Sequence, residues 1–335
     1  MEHDSIIKDL KSGKAASLYL IAGDEPYYID LVSKSIEEDL LEEGMRDFNL
    51  SILYGRDTDP EKIVSLARAF PMMGDRQVIV VREAQDMDAT KRGSKMDYLA
   101  SYAENPQPST VLALVFKNKA PDKRLTWVKN FSKKGILFES KALRDDQVPS
   151  WIEKWLKDKG YSVSPEASRL IAEHLGNKLS NIVNELSKLS IILPPGSKID
   201  PGIVERHIGI SKEYNQFELQ RALAKKDILK SNKIIAYFAS NPKEHPIQAS
   251  ISALYNYFTK IGLVHTTEPG KLAETLKINP YFVKEYKDAA TQYPLAKVVR
   301  IIGYLRDTDR KIKGVGNKSI EDEFLMKELV YKILH

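Results

Sequence analysis

Five short stretches rich in Val, Ile, Leu and Tyr punctuate the first 140 residues, at 17–22, 49–53, 77–82, 110–116 and 135–139, with helical patterns between them. Nothing else in the sequence constrains the fold as much. Strands alternating with helices join through right-handed crossovers into a parallel sheet covered on both faces. The uninterrupted apolar run Val78-Ile79-Val80-Val81 agrees, because both faces of such a strand are buried. Over 26–41, Tyr28, Val32, Ile36 and Leu40 recur at four-residue spacing, Pro26 sits at a helix start and Gly44 follows the end. Residues 59–68 repeat the pattern: Asp59-Pro60 take cap and first-turn positions, and Ile63, Leu66 and Ala67 share a face.

The pattern changes near residue 140, and from Asp145 onward no strand is expected. Ser164-Pro165-Glu166 reads as a helix start, with a stripe at Ala167, Leu170, Ile171 and Leu175 that Gly176 closes. A second stripe at Leu179, Ile182, Val183, Leu186 and Leu189 ends at Pro194-Pro195-Gly196. Helical patterns then run from Phe217 to the end, with breaks at Asn241-Pro242, Glu268-Pro269-Gly270, Asn279-Pro280 and Tyr293-Pro294. The expected class is α/β plus all-α: a parallel-sheet domain over 1–140, a small helical domain over 141–210 and a larger helical domain over 211–335. No internal repeat or low-complexity segment interrupts it.

Several functional classes fall away on composition. The chain contains no cysteine, which removes disulfides, zinc ribbons, iron–sulfur ligation and thiol nucleophiles, and fits a reducing cytosol. Its longest apolar runs, 18–22, 78–81, 111–116 and 191–193, fall far short of the about 20 residues that a spanning helix needs. Met1-Glu2-His3-Asp4 is acidic and lacks a signal-peptide apolar segment, so a soluble cytosolic protein is expected. The formal charge of +5 is too small to imply nucleic-acid binding by itself.

A parallel α/β domain followed by a helical lid is a common layout for nucleotide-driven motors, so a phosphate-binding loop is the first motif to seek. It would read G-x-x-x-x-G-K-[ST] after the first strand, with backbone N–H groups and a Lys neutralising the phosphates. The first strand leads instead into Gly23-Asp24-Glu25-Pro26-Tyr27-Tyr28. Two carboxylates stand where phosphates would sit, Pro26 removes a donor, and no Lys follows. Gly13-Lys14 precedes the strand, lacks the earlier Gly and is followed by Ala15. The strand at 78–81 leads into Arg82-Glu83-Ala84 rather than the Asp-Glu pair that would hold Mg²⁺. No nucleotide cofactor is expected. The six histidines (His3, His174, His207, His245, His265 and His335) show no H-x-x-x-H spacing, so no metal site is expected either. No G-x-S-x-G elbow is present. The cluster Glu37-Glu38-Asp39 with Glu42-Glu43 reads as a solvated helix face.

Four segments in order carry a resemblance. Leu18-Tyr19-Leu20-Ile21-Ala22-Gly23-Asp24-Glu25-Pro26-Tyr27 resembles the opening "YLLxGEEPY" of the delta-subunit family of bacterial DNA polymerase III, whose members open the sliding clamp within the clamp loader. The stretch from Phe70-Pro71-Met72-Met73-Gly74-Asp75-Arg76 to Val81 resembles the family's "P-h-h-x-D-R-R-h-V-h-V". Gly176-Asn177-Lys178-Leu179 with Ile182, Asn184-Glu185-Leu186 and Lys188-Leu189 resembles "GNDLxxIxNELEKL". Leu305-Arg306-Asp307-Thr308-Asp309-Arg310-Lys311-Ile312-Lys313-Gly314 resembles "LxxxDxxIKtG". Together they span Leu18 to Gly314.

The resemblance implies an AAA+-type domain without a working nucleotide site, a helical lid and a C-terminal collar. The partners it implies are the sliding clamp (beta subunit), the delta-prime and tau/gamma subunits, and primed DNA through the complex, with no membrane. It also implies that Met72 and Met73, flanked by Phe70 and Pro71, enter a pocket on the clamp. Two flexible apolar side chains between a Pro and a Gly, where a helix gives way to a strand, suit an adaptable docking surface. The alternative is that Met72 and Met73 cap the core beneath the sheet. Gly23, Asp24 and Glu25 read either as a subunit contact or as a turn whose acids favour a helix N-terminus. Lys117, Lys119, Lys123 and Arg124, with Arg306, Arg310, Lys311 and Lys313, are candidate DNA-phosphate contacts or solvated faces. Tyr255, Tyr257 and Phe258 read as helical core. The expected function is a non-catalytic clamp-opening subunit of the replicative polymerase holoenzyme; the rivals are a degenerate AAA+ ATPase and a nucleic-acid-binding adaptor.

Overall fold

The computed structural model describes residues 2–72, 74–87, 96–315 and 320–335. The chain divides into two compact units, Met1–Leu143 with Lys178–Asn181, and Arg144–Asn177 with Ile182–His335. The first unit runs α1 (His3–Lys11), β1 (Leu18–Gly23), α2 (Pro26–Asp39), α3 (Glu43–Asn49), β2 (Leu50–Tyr54), α4 (Pro60–Arg68), β3 (Gln77–Arg82), α5 (Met96–Glu104), β4 (Thr110–Val115), α6 (Thr126–Lys134) and β5 (Ile136–Ser140). All five strands are parallel, in the order β2-β3-β4-β1-β5.

The alternation of side chains along each strand feeds two cores. Tyr19, Ile21, Val78, Val80, Val111 and Ala113 join Ile6 and Leu10 of α1 and Ile29, Val32 and Ile36 of α2 on one face. Leu18, Leu20, Ile79, Val81, Leu112 and Leu114 meet Ile63 and Ala67 of α4, Leu99 of α5 and Trp127 and Phe131 of α6 on the other. Every residue of β1 and β4 is therefore buried, which is why these strands read as continuous apolar runs. Edge strand β2, paired only to β3, leaves Ile52 and Tyr54 exposed. Asp59 caps α4 by accepting the Lys62 N–H at 3.0 Å, as its place before Pro60 predicts. Residue 49, expected to open the second strand, instead closes α3.

The second part of the chain is helical: α7 (Val148–Asp158), α8 (Pro165–Leu175), α9 (Leu179–Ile192), α10 (Pro201–Ile208), α11 (Gln216–Ala224), α12 (Ile228–Ser240), α13 (Ile247–Val264), α14 (Leu272–Leu276), α15 (Val283–Gln292), α16 (Leu295–Ile312) and α17 (Asp322–Leu334). Two two-residue strands, β6 (Ser162–Val163) and β7 (Lys198–Ile199), pair in parallel here, against the expectation of no strand beyond Asp145. Segments that short carry no periodicity to read. From α11 to α17 the helices share one core, which includes Tyr257 and Phe258; Tyr255, expected in it, is half exposed. The expected class, α/β plus all-α with a parallel-sheet domain, is the class of this structure. Among the described residues no helix is long and apolar enough to cross a membrane.

Candidate docking surface

In a parallel sheet, strand-to-helix turns gather at the C-terminal ends of the strands, where ligands of open α/β folds sit, and helix-to-strand turns gather at the other end. The first turn of interest, Gly23-Asp24-Glu25, lies at the C-terminal end. Gly23 has φ +134°, and a Cβ there would lie 2.0 Å from the Ser140 carbonyl oxygen, so only glycine fits between β1 and β5. Asp24 N–H donates to that oxygen at 3.1 Å. Ser140 Oγ donates to the Glu25 carbonyl at 3.0 Å and accepts the Glu25 N–H at 3.3 Å. Glu25 is 3% exposed.

The Glu25 carboxylate accepts the Tyr27 N–H at 3.0 Å and bonds the backbone of Leu179, the first residue of α9. Burial raises its pKa, and the two backbone bonds offset part of that rise. The Tyr27 N–H at the start of α2, which in a phosphate loop would face a bound anion, thus meets a carboxylate of the chain itself. The two readings of the turn resolve toward the helix-capping one for Glu25.

Arg82, at the end of β3, forms a two-pronged pair with Glu37 of α2: Nε to Oε1 at 3.1 Å and Nη2 to Oε2 at 2.6 Å. Ser33 Oγ adds a third bond to Oε1 at 3.1 Å. Glu37 is 7% exposed, so the expected solvated face holds for Glu38, Asp39, Glu42 and Glu43 but not for Glu37. The guanidinium opposite it, 45 residues away in sequence, makes burial of that charge tolerable.

The second turn, between α4 and β3, lies at the opposite end of the sheet. Phe70 is 77% exposed and Met72 79%, while Pro71 is partly buried. For Met72 this removes the reading that it caps the core. Met73 lies outside the described residues. Gly74 adopts φ +75° over open space, turning the chain into β3.

The turn is fastened where it leaves α4. Gln77 Nε2 donates to the carbonyls of Ala69 and Leu66, the latter at 3.3 Å, and to Thr110 Oγ1 at 2.8 Å. Thr110 Oγ1 and Tyr102 Oη donate to the Ala67 carbonyl at 2.9 and 3.2 Å. These bonds satisfy the carbonyls that the end of α4 leaves unpaired. They tie the stem of the turn to α5 and β4 while two large apolar side chains stand in solvent. Sequence patterning located the turn; it gave no sign of Asn49, whose side chain bonds the Met72 backbone.

The candidate phosphate contacts are mostly paired within the chain. Lys117 meets Asp30 at 2.5 Å, Lys123 meets Glu139 at 2.7 Å, and Arg124 meets Asp122 at 2.6 Å. Arg306 meets Asp307 at 3.4 Å, Lys311 meets Glu328 at 3.1 Å and Lys313 meets Asp309 at 2.7 Å. Each carboxylate cancels part of the field that a polyphosphate would feel. Lys119 and Arg310 are exposed. A cleft of about 750 Å³ in the second unit mixes Arg169, Lys260 and Lys277 with Asp146, Glu153 and Glu173, so it is not the one-signed funnel of a polyanion site.

The sheet order, the self-capped turn at the strand C-termini and the exposed apolar pair define a class: a parallel α/β domain without a phosphate-binding loop that presents an apolar turn to solvent. Comparison with known proteins shows a family likeness. Residues 19–141 match the family DNA polymerase III, delta subunit. DNA polymerase III subunit delta of Bacillus subtilis (strain 168) is 25% identical over 334 residues, covering 96% of this chain and 95% of that protein. The solved DNA clamp loader delta protein of Bacillus subtilis, at 23% identity, covers 99% of both chains with a TM-score of 0.55 and so shares the fold. The chain resembles the delta-subunit family along nearly its whole length, and its sheet domain carries the family's pattern.

Proposed function

We propose that this chain is the delta subunit of a bacterial clamp loader, which binds and opens the sliding clamp for loading onto primed DNA without hydrolysing ATP itself. The observation that carries the reading is the pair Phe70 and Met72, 77% and 79% exposed on a turn fastened by Gln77 and Thr110, in a domain that matches that family. In this reading Phe70, Pro71 and Met72, with Met73 beside them, are the clamp-binding residues. Burying Phe70 and Met72 contributes about 1.5–3 kcal/mol each, a large share of the about 8 kcal/mol of a micromolar complex. Opening follows if the docked turn binds the open clamp better than the closed one, since a ligand shifts an equilibrium only by its differential affinity.

Residues 141–210 then serve as the lid and 211–335 as a collar that joins the delta-prime and tau/gamma subunits, at the replication fork in the cytoplasm. The single core shared by α11 to α17 supports a collar that holds together as one body. Glu25, occupying the helix N-terminus with the chain's own carboxylate, supports a subunit that leaves ATP to its neighbours.

Two calorimetric titrations of the full chain test this. The sliding clamp of the same organism binds at micromolar affinity or better, and ATP with Mg²⁺ gives no heat of binding. Micromolar ATP binding would move the chain to the degenerate ATPases. Tight, salt-dependent DNA binding with no clamp binding would make it a nucleic-acid adaptor.

A further inference from the structure

The apolar pair of the docking turn owes its direction to a residue outside the turn. Among the described residues, 70–76 make no backbone–backbone hydrogen bond, so neither helix nor sheet geometry sets where Phe70 and Met72 point. Asn49, the last residue of α3, supplies the missing constraint. Its Oδ1 accepts the Met72 N–H at 2.9 Å from 23 positions earlier in the chain, and the residue is 4% exposed. Leu50 pairs in register with Val78, so Asn49 stands at the start of β2 beside the start of β3. Two side-chain amides therefore bracket the turn: Gln77 holds the Ala69 carbonyl on the α4 side, and Asn49 holds the Met72 N–H on the far side.

We propose that Asn49 is a positioning residue for clamp docking: it fixes the Met72 backbone so that both anchors are presented in their bound direction before the clamp arrives. This rests on the reading of Phe70 and Met72 as clamp contacts. A preformed turn spares the ordering cost that a loose one meets on binding. The buried Asn49 amide would be costly with its acceptor unpaired, so bond and burial reinforce each other. A residue that only fastened α3 to β2 would alter stability without any coupling to Met72.

The test is a double-mutant cycle in the full chain, reading affinity for the sliding clamp with N49A, M72A and the double variant, and the melting temperature of each. N49A alone weakens clamp binding about tenfold, the scale of a lost hydrogen bond to a partly buried donor. In the M72A background its effect shrinks by about threefold or more, because half of what it positions is gone. The same factor in both backgrounds, or none in the wild type, overturns the proposal. Amide hydrogen exchange separates this from the docking reading itself. If the unsubstituted chain ignores the clamp, the docking reading falls alone; exchange at Met72 that is about tenfold faster in N49A still supports positioning, and unchanged exchange overturns it.

Discussion

Truncating Met72 to alanine isolates the proposed contact. The side chain is 79% exposed, so about four-fifths of the 1.5–3 kcal/mol for burying a methionine remains to be gained on docking, about 1.2–2.4 kcal/mol. At 1.4 kcal/mol per factor of ten, clamp affinity drops about 7- to 50-fold. Aspartate in place of Met72 costs more, because a carboxylate must also leave water. The fold does not feel either change: an exposed side chain outside the core shifts stability by under about 0.5 kcal/mol, and melting by under about 2 °C. The assay is a calorimetric or anisotropy titration with sliding clamp, run beside a melting curve of each variant. A folded M72A whose affinity stays within about twofold of wild type would refute the assignment, since the hydrophobic term is the only one invoked.

Gly23→Ala costs about 3 kcal/mol or more and prevents stable folding, measured by urea unfolding, because its Cβ would lie 2.0 Å from the Ser140 carbonyl at φ +134°. Gly74→Ala, at φ +75° over open space, costs only about 1–2 kcal/mol of left-handed strain. Glu25 gives a pH signature. Burial raises its folded pKa above the ordinary 4.5, so the folded state holds that proton more tightly and stability falls as pH rises through the window between the two values. E25Q, which keeps an acceptor without charge, is at least as stable as wild type at pH 7, and the gap closes as pH falls toward 4.5. E25A loses the acceptor for Tyr27 and Leu179 and is less stable by about 0.5–2 kcal/mol at pH 7, read from denaturant midpoints.

Local pattern carried the architecture. The five strands fall within a residue or so of where runs of Val, Ile and Leu place them, because a strand buried on both faces has no polar positions to blur its limits. The missing phosphate loop and the α4–β3 turn with its apolar residues were equally legible, since both depend on residue types at fixed spacing. Glu37 misled: its acidic neighbours suggested a solvated face, and only the arrival of Arg82 from β3 makes its burial tolerable.

What tertiary structure alone decided was how the ends of the sheet are used. That Glu25 supplies the anion at its own helix terminus, that Ser140 clamps the turn from 115 residues away, and that Asn49 holds Met72 are side-chain bonds between distant segments. Hydrophobic periodicity repeats every two or four residues and can be read locally. A hydrogen bond needs two atoms at about 3 Å in the right direction, and that exists only once the sheet has brought the segments together.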